Sequence, residues 1–241
     1  MVKRETLNNK KKVIVLIDNF SLNFQTDRIE RTINIVRDNY ENIELKVIHY
    51  SELDIGKLKE ISGYILSGSN TNVSEFSSNK ILEEEYQEVV KLIQMKNQKP
   101  ILAICYGHQL TAYAFGGKVQ RMRGTYNGSR ITSVSLDKVD EIIPYNEILV
   151  NIQHLDYVKP NDPKIKKEFN ITSIKEINGY KTIQYMQHVR RPIYSVQFHP
   201  ETHLSHEKFA DKLDEQKLTA VVETGEEIIK NFINFCIRYN Y

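Results

Sequence analysis

The chain has 241 residues, 40% hydrophobic and 27% charged, which is enough apolar material for a full core and the ordinary balance of a globular protein. Its 33 basic and 31 acidic residues leave a formal charge of +2, so charge gives no reason to expect nucleic acid or an anionic membrane as partner. No apolar run reaches the roughly 18 residues of a membrane span, the polar opening "MVKRETLNNKKK" lacks the apolar segment of a signal peptide, and two distant cysteines suit no disulfide framework. These bounds point to the reducing cytoplasm, with residues 1–12 as a solvated tail and 13–241 as a single domain.

The first run, "VIVLID" (Val13–Asp18), is β-branched and almost wholly apolar, as a strand covered on both faces should be. A polar segment with Ile29, Ile33 and Val36 at helical spacing follows. Two more candidate strands, "IELKVIHY" (Ile43–Tyr50) and "GYILSG" (Gly63–Gly68), precede "ILEEEYQEVVKLIQMK" (Ile81–Lys96). That segment predicts one amphipathic helix with Ile81, Leu82, Tyr86, Val89, Val90 and Ile93 on its buried face. "PILAIC" is the next strand and "HQLTAYAF" the next helix. Strands alternating with helices predict an α/β fold: an open, mostly parallel sheet with helices on both faces.

Beyond Gly124 the texture changes to short strand-like runs: "SRITSVSL", "EILVNI", "NITSIKEI", "KTIQYM" and "PIYSVQF". Short connections predict that several of these pair antiparallel and extend the main sheet. "TGEEIIKNFINFCIRY" returns to helical period, with Ile228, Ile229, Phe232, Ile233 and Cys236 inward. Thr202–Glu223 is the least regular stretch and reads as a lid, a partner contact or, most simply, a surface excursion.

Cys105 ends a predicted strand and "YGHQ" begins a helix. In open α/β sheets ligands bind beyond the carboxyl ends of the strands. A thiol there is exposed on a sharp turn, and a helix N-terminus favours a thiolate. Gly107 permits the close turn. Alone, such a cysteine is more often small packing material than a nucleophile. "YSVQFHPE" (Tyr194–Glu201) is a second strand ending in a polar cluster. It can bring His199 and Glu201 to the same edge, which completes a set of nucleophile, base and orienting carboxylate.

"AICYGHQL" and "VQFHPE", in this order and nearly a hundred residues apart, resemble the paired signatures of the class I glutamine amidotransferases. "LIDNFS", "YILSGSNTNV" and "NIQHLDYV" resemble further segments of that family, and "TGEEIIKNFINFCIR" resembles the closing helix of GMP synthase amidotransferase domains. The likeness spans residues 13 to 240. It implies the family's flavodoxin-like fold with an antiparallel extension. It also implies hydrolysis of glutamine to glutamate and ammonia through a cysteine thioester.

By that resemblance Cys105 is the nucleophile, His199 the base and later acid, and Glu201 the carboxylate that orients it. Gly68, Ser69 and Tyr106 contribute the oxyanion hole, and Gln109 and His154 face the substrate glutamine. Ser69 stands where the family carries a second glycine, so it serves only if its backbone dihedrals suit a residue with a side chain. A separate synthetase is the implied recipient of the ammonia, since 241 residues leave no room for one and no ATP-binding motif is visible. His203 and His206 lack companion ligands at metal spacing, and the reading needs no metal and no cofactor. A stand-alone hydrolase of γ-glutamyl compounds, or a non-catalytic regulatory module of the same fold, would satisfy many of the same residues.

Overall fold

The computed structural model describes residues 11–21, 27–96, 99–124, 129–202 and 214–239. In chain order the first half contains β1 (Lys12–Asp18), α1 (Asp27–Asn39), β2 (Ile43–His49), β3 (Ile61–Leu66), α2 (Lys80–Glu85), α3 (Gln87–Gln94), β4 (Ile101–Ile104) and α4 (Tyr106–Ala114). The second half contains β5 (Val119–Arg121), β6 (Arg130–Ser135), β7 (Glu147–Ile152), β8 (Asp156–Val158), α5 (Pro163–Glu168), β9 (Phe169–Ile177), β10 (Tyr180–His188), β11 (Ile193–Val196) and α6 (Glu215–Arg238).

Seven strands form the main sheet in the order β2-β1-β3-β4-β11-β10-β9. The first five are parallel and the last two antiparallel. The near-continuous apolar runs are explained by burial on both faces. In β1, Ile14 and Leu16 enter one core while Val15 and Ile17 enter the other; in β4, Leu102 and Ile104 separate in the same way from Ile101 and Ala103. One core is closed by α1 and α6 through Ile35, Val36, Ile228, Ile229, Phe232, Ile233 and Cys236. The other is closed by α3 and α4 through Val89, Val90, Leu92, Ile93, Tyr106 and Leu110. The parallel sheet with helices on both faces is therefore as the sequence pattern predicts, and so is the antiparallel extension by β9 and β10.

Two expectations are corrected. The segment 81–96 is two helices, not one: the chain breaks at Tyr86 (φ −96°, ψ 5°), whose buried ring stacks on Tyr50 at 4.1 Å while its hydroxyl donates to the Asn19 carbonyl at 2.7 Å. The break resets the helical phase, so Ile81 faces solvent with 73% of its surface exposed. Several of the late strands extend the main sheet as expected, while β6–β7 and β5–β8 form separate antiparallel pairs. The closing helix starts at Glu215, capped by Asp214, whose side chain accepts from the Gln216 N–H, so Thr202–Glu223 is helical over its last nine residues. His203, His206 and the first ten residues of the proposed tail lie outside the described residues, and Lys12 already belongs to β1.

Candidate active site

Cys105 sits at the junction of β4 and α4 with φ 50° and ψ −96°. Two main-chain bonds hold it there. Its N–H donates to the Val196 carbonyl at 2.8 Å, continuing the ladder to β11, and its carbonyl accepts from the Gln109 N–H at 3.1 Å, opening the helix. The chain turns between those bonds within one residue, so the positive φ falls on the cysteine. Gly107 is required by contact rather than by its dihedrals: a Cβ there would lie 2.8 Å from both the Cβ and the carbonyl oxygen of Leu66. Close packing of α4 on the end of β3 leaves the N-terminus of the helix beside the sulfur.

The segment after β11 brings the imidazole in. The His199 N–H donates to the Asn151 carbonyl at 2.9 Å, and the His199 carbonyl accepts from the Thr202 hydroxyl at 2.7 Å. Asn151 donates in turn to Thr202 at 3.0 Å. Within this frame His199 Nδ1 lies 2.7 Å from Glu201 Oε1, and both side chains are buried. On the other side of the ring, Nε2 lies 3.5 Å from the Gln153 carbonyl, and Cys105 Sγ reaches the same carbonyl at 3.7 Å. Gln197 Nε2 also donates to the sulfur at 3.7 Å. Thiol, imidazole and carboxylate are thus side by side, as their separation in sequence alone could not guarantee.

Electrostatics agrees with the geometry. Burial is the largest influence on His199 and disfavours its charge, as does the Arg28 guanidinium. The Cys105 sulfur and the Glu201 carboxylate outweigh both and raise it to about 9. Burial works to raise the Glu201 carboxyl, but His199 prevails and holds it below its ordinary value. His154 is pushed down to about 4, chiefly by burial. It is therefore a neutral ring at neutral pH. Its Nδ1 is 2.9 Å from the Asp156 carbonyl, and its buried Nε2 has no hydrogen-bond partner.

Cys105, His199, Gln153 and His154 line a cleft of about 330 Å³, walled also by Phe20, Arg28, Ser69, Asn70, Tyr106, Gln109 and Asp156, with Glu201 behind His199. Gly68 packs against the site, since a Cβ there would meet His199 Cε1 at 3.2 Å and Cys105 Cβ at 3.9 Å. Ser69 does not have the positive φ that would have penalised a side chain: among described residues other than glycine, only Glu60, Cys105 and Asn178 have one. Its hydroxyl donates to the Asn19 carbonyl at 2.6 Å, which ties the loop to the end of β1. Gln109 is in the wall, with its amide nitrogen donating to the Asp156 carbonyl at 2.9 Å. Every residue expected from the sequence borders this region. Local sequence pattern singles out neither Arg28 nor Gln153 nor Gln197 as a site residue, though Gln197 lies inside "VQFHPE". Among the described residues no cluster of His, Cys, Asp and Glu is arranged to hold a metal.

An open α/β sheet with a cysteine on a strained strand-to-helix elbow, beside a carboxylate-bound histidine, has the layout of a hydrolase with a cysteine nucleophile. Within that class the chain belongs to the class I glutamine amidotransferases, enzymes that hydrolyse the glutamine side-chain amide: the family profile "Glutamine amidotransferase class-I" matches residues 22–213. The chain is 32% identical over 226 residues to the glutamine-hydrolysing GMP synthase subunit of Pyrococcus abyssi, covering 93% of this chain and 98% of that protein. The same-named protein of Pyrococcus furiosus is 30% identical with the same coverage. Among solved structures, a protein described as a GMP synthase subunit from Thermoplasma acidophilum superposes with a TM-score of 0.69 at 26% identity, over 95% of this chain and 96% of that one. A glutamine amidotransferase from Thermotoga maritima shares the fold, with a TM-score of 0.64 at 16% identity, over 95% and 99% of the two chains.

Proposed function

We propose that residues 13–241 form one glutaminase domain that supplies ammonia to a separate synthetase subunit, of the kind that makes GMP. The observation that carries the residue assignments is that Cys105 and His199 share one cleft, with Glu201 paired to the far side of the His199 ring. Cys105 Sγ attacks the amide carbon of glutamine, and its proton passes to His199 Nε2. Glu201 holds Nδ1–H and thereby presents Nε2 to the sulfur. The oxyanion forms against backbone N–H groups of Tyr106 and the Gly68–Ser69 loop, each donor worth ~2.7–4 kcal/mol in such sites. His199 then protonates the leaving nitrogen, ammonia departs, and water activated by the same ring hydrolyses the thioester to glutamate. Gln109 and His154 hold the substrate, with the unpaired Nε2 of His154 available to it.

Near-full-length similarity to glutamine-hydrolysing GMP synthase subunits supports the choice of consumer, since this chain spans 98% of the Pyrococcus abyssi protein. No described helix is long and apolar enough to cross a membrane, and a cytoplasmic location suits a chain with two buried, unpaired cysteines.

The test is ammonia release from glutamine by the purified chain, followed by transfer of isotope-labelled amide nitrogen into GMP when ATP is supplied together with the synthetase subunit of a GMP synthase. Cys105→Ala should abolish both. Release without transfer would leave the glutaminase and remove the proposed partner. No release with or without the synthetase would remove the catalytic assignment.

A further inference from the structure

The break between α2 and α3 places a hydroxyl that neither helix uses. Tyr86 is fully buried there, and its side chain makes no capping bond to α3. Its hydroxyl instead donates to the Asn19 carbonyl at 2.7 Å and lies 3.2 Å from the Thr71 hydroxyl. Ser69 donates to the same carbonyl at 2.6 Å. The Ser69 hydroxyl is also 2.9 Å from that of Thr71 and accepts from the Thr71 N–H at 3.1 Å. Burial raises the Tyr86 phenol above its ordinary value, so it keeps its hydrogen and stays a donor.

Asn19 extends the same clamp. Its N–H donates to Ser67 Oγ and its side-chain nitrogen to the Ser67 carbonyl, each at 2.9 Å. The Asn19 carbonyl has two lone pairs, and Ser69 and Tyr86 take one each. Thr71 then donates to Ser69 or to Tyr86, so the hydrogens of all three hydroxyls have acceptors. The loop from Ser67 to Thr71 is thus held without spending its own donors: the backbone N–H groups of Gly68 and Ser69 donate to no described residue, nor does that of Tyr106 at the start of α4. Tyr106 is reached by the other part of the same side chain, since its ring packs on the Tyr86 ring with centroids 5.0 Å apart. Tyr86 therefore touches both of the segments whose backbone donors are unspent, and both of those segments line the cleft.

We infer that Tyr86 is a positioning residue for the oxyanion hole: its hydroxyl fixes the Gly68–Ser69 donors through Asn19 and Thr71, and its ring seats Tyr106. The inference rests on the glutaminase reading above and deepens it, by naming the residue that sets the two donor segments against each other. Those segments belong to separate elements, the end of β3 and the start of α4, so neither element fixes their spacing alone. An oxyanion needs both donors at about 2.7–3.1 Å at once. Loosening one of them weakens the hold on a charge that exists only in the transition state and leaves the binding of glutamine as it was. Tyr86 itself lies outside the cleft wall, so the thiol and its base do not depend on it directly.

The experiment measures glutamine hydrolysis, with the synthetase subunit of a GMP synthase present, for the wild type, Tyr86→Phe, Thr71→Val and the double variant. Alkylation of Cys105 by iodoacetamide is measured alongside, because displacement of iodide at a tetrahedral carbon forms no oxyanion. Tyr86→Phe keeps the ring contacts and removes only the hydroxyl. Its kcat should fall about ten-fold, with KM and the alkylation rate within about two-fold of the wild type, a split that a general loosening of the fold would not produce. Thr71→Val should show the same fall, and the double variant little more, because both substitutions remove one contact. Alkylation at the buried Cys236 marks a variant that has not folded; if Tyr86→Phe is one, Thr71→Val carries the test by the same readings. An unchanged kcat, a loss that lies in KM, a parallel fall in kcat and alkylation, or additive losses in the double variant overturns the inference and leaves the glutaminase assignment standing. A wild type that releases no ammonia with or without the synthetase overturns that assignment, and the inference with it.

Discussion

Cys105 is held where its chemistry is useful and its backbone is strained. With φ 50° and ψ −96° it lies outside the regions comfortable for an L-residue, and such strain costs on the order of 1–3 kcal/mol. The ladder bond to Val196 and the helix bond from Gln109 fix the turn from both sides, so relaxing it would break one or the other. Comparing two inactive variants isolates the strain. At an ordinary site glycine is about 0.5–1 kcal/mol less stabilising than alanine, because it loses more freedom on folding. Here the order should reverse: Cys105→Gly should be about 1 kcal/mol more stable than Cys105→Ala in urea unfolding, at equal dependence on denaturant. An Ala variant more stable than the Gly variant would show that the elbow stores no such energy. The same residue shows why Ser69 is tolerable in place of glycine. The difficult backbone geometry falls on the cysteine, and Ser69 adds a hydroxyl that fastens its loop to Asn19.

Elements meet behind the triad as well as in front of it. Gly225 lies within α6, where a Cβ would come 2.1 Å from the Pro200 carbonyl oxygen, and Pro200 stands between His199 and Glu201. One residue on, Glu226 pairs with Arg31 of α1 at 2.6 Å, so α1 and α6 together brace the loop. Gly225→Ala should therefore act on catalysis as well as folding. Overpacking of this kind costs about 1–3 kcal/mol, and displacing base and carboxylate together should lower kcat by about ten-fold or more. Unfolding curves and steady-state rates check this; a stable variant with unchanged kcat would separate α6 from the site. The sequence disclosed these elements unevenly. Strands buried on both faces were visible as β-branched runs, and Cys105, His199 and Glu201 were visible because each follows such a run. The break at Tyr86 was hidden, since it comes from a ring stack and a hydroxyl bond to distant Asn19 that override local helical period. Arg28 and Gln153 were hidden for a similar reason: 125 positions separate them, and nothing in either local pattern marks them as neighbours.

At the scale of the whole molecule, the parallel sheet and its covering helices bury polar side chains whose charge state depends on folding. His108 is on α4, with Nδ1 2.8 Å from the Ser195 hydroxyl and Nε2 unpartnered, and burial pushes it down to about 3. His154 is pushed down to about 4 by the same cause, and His188 likewise to about 4. Each is neutral in the folded chain where the unfolded chain, with an ordinary value of about 6.5, would be charged. Their contribution is complete above pH 6.5 and is lost as pH falls towards 4, because the unfolded state takes up protons that the native state refuses. His199 is held up instead, so it is protonated in both states below pH 6.5 and adds nothing in this window. Asp18 and Asp156, raised mainly by burial, bind protons earlier in the native state and offset part of the loss at its acid end. His108 and His154 alone account for a loss on the order of 5 kcal/mol by pH 4.5, comparable with the whole stability of many domains. Denaturant unfolding between pH 7 and 4.5 should therefore show stability falling with a slope of about two protons or more per molecule. His108→Gln should remove about one proton from that slope, whatever it does to stability at pH 7. Stability that stays level from pH 7 to 4.5 would mean that these rings titrate as in the unfolded chain, against the burial that holds them down in the folded one.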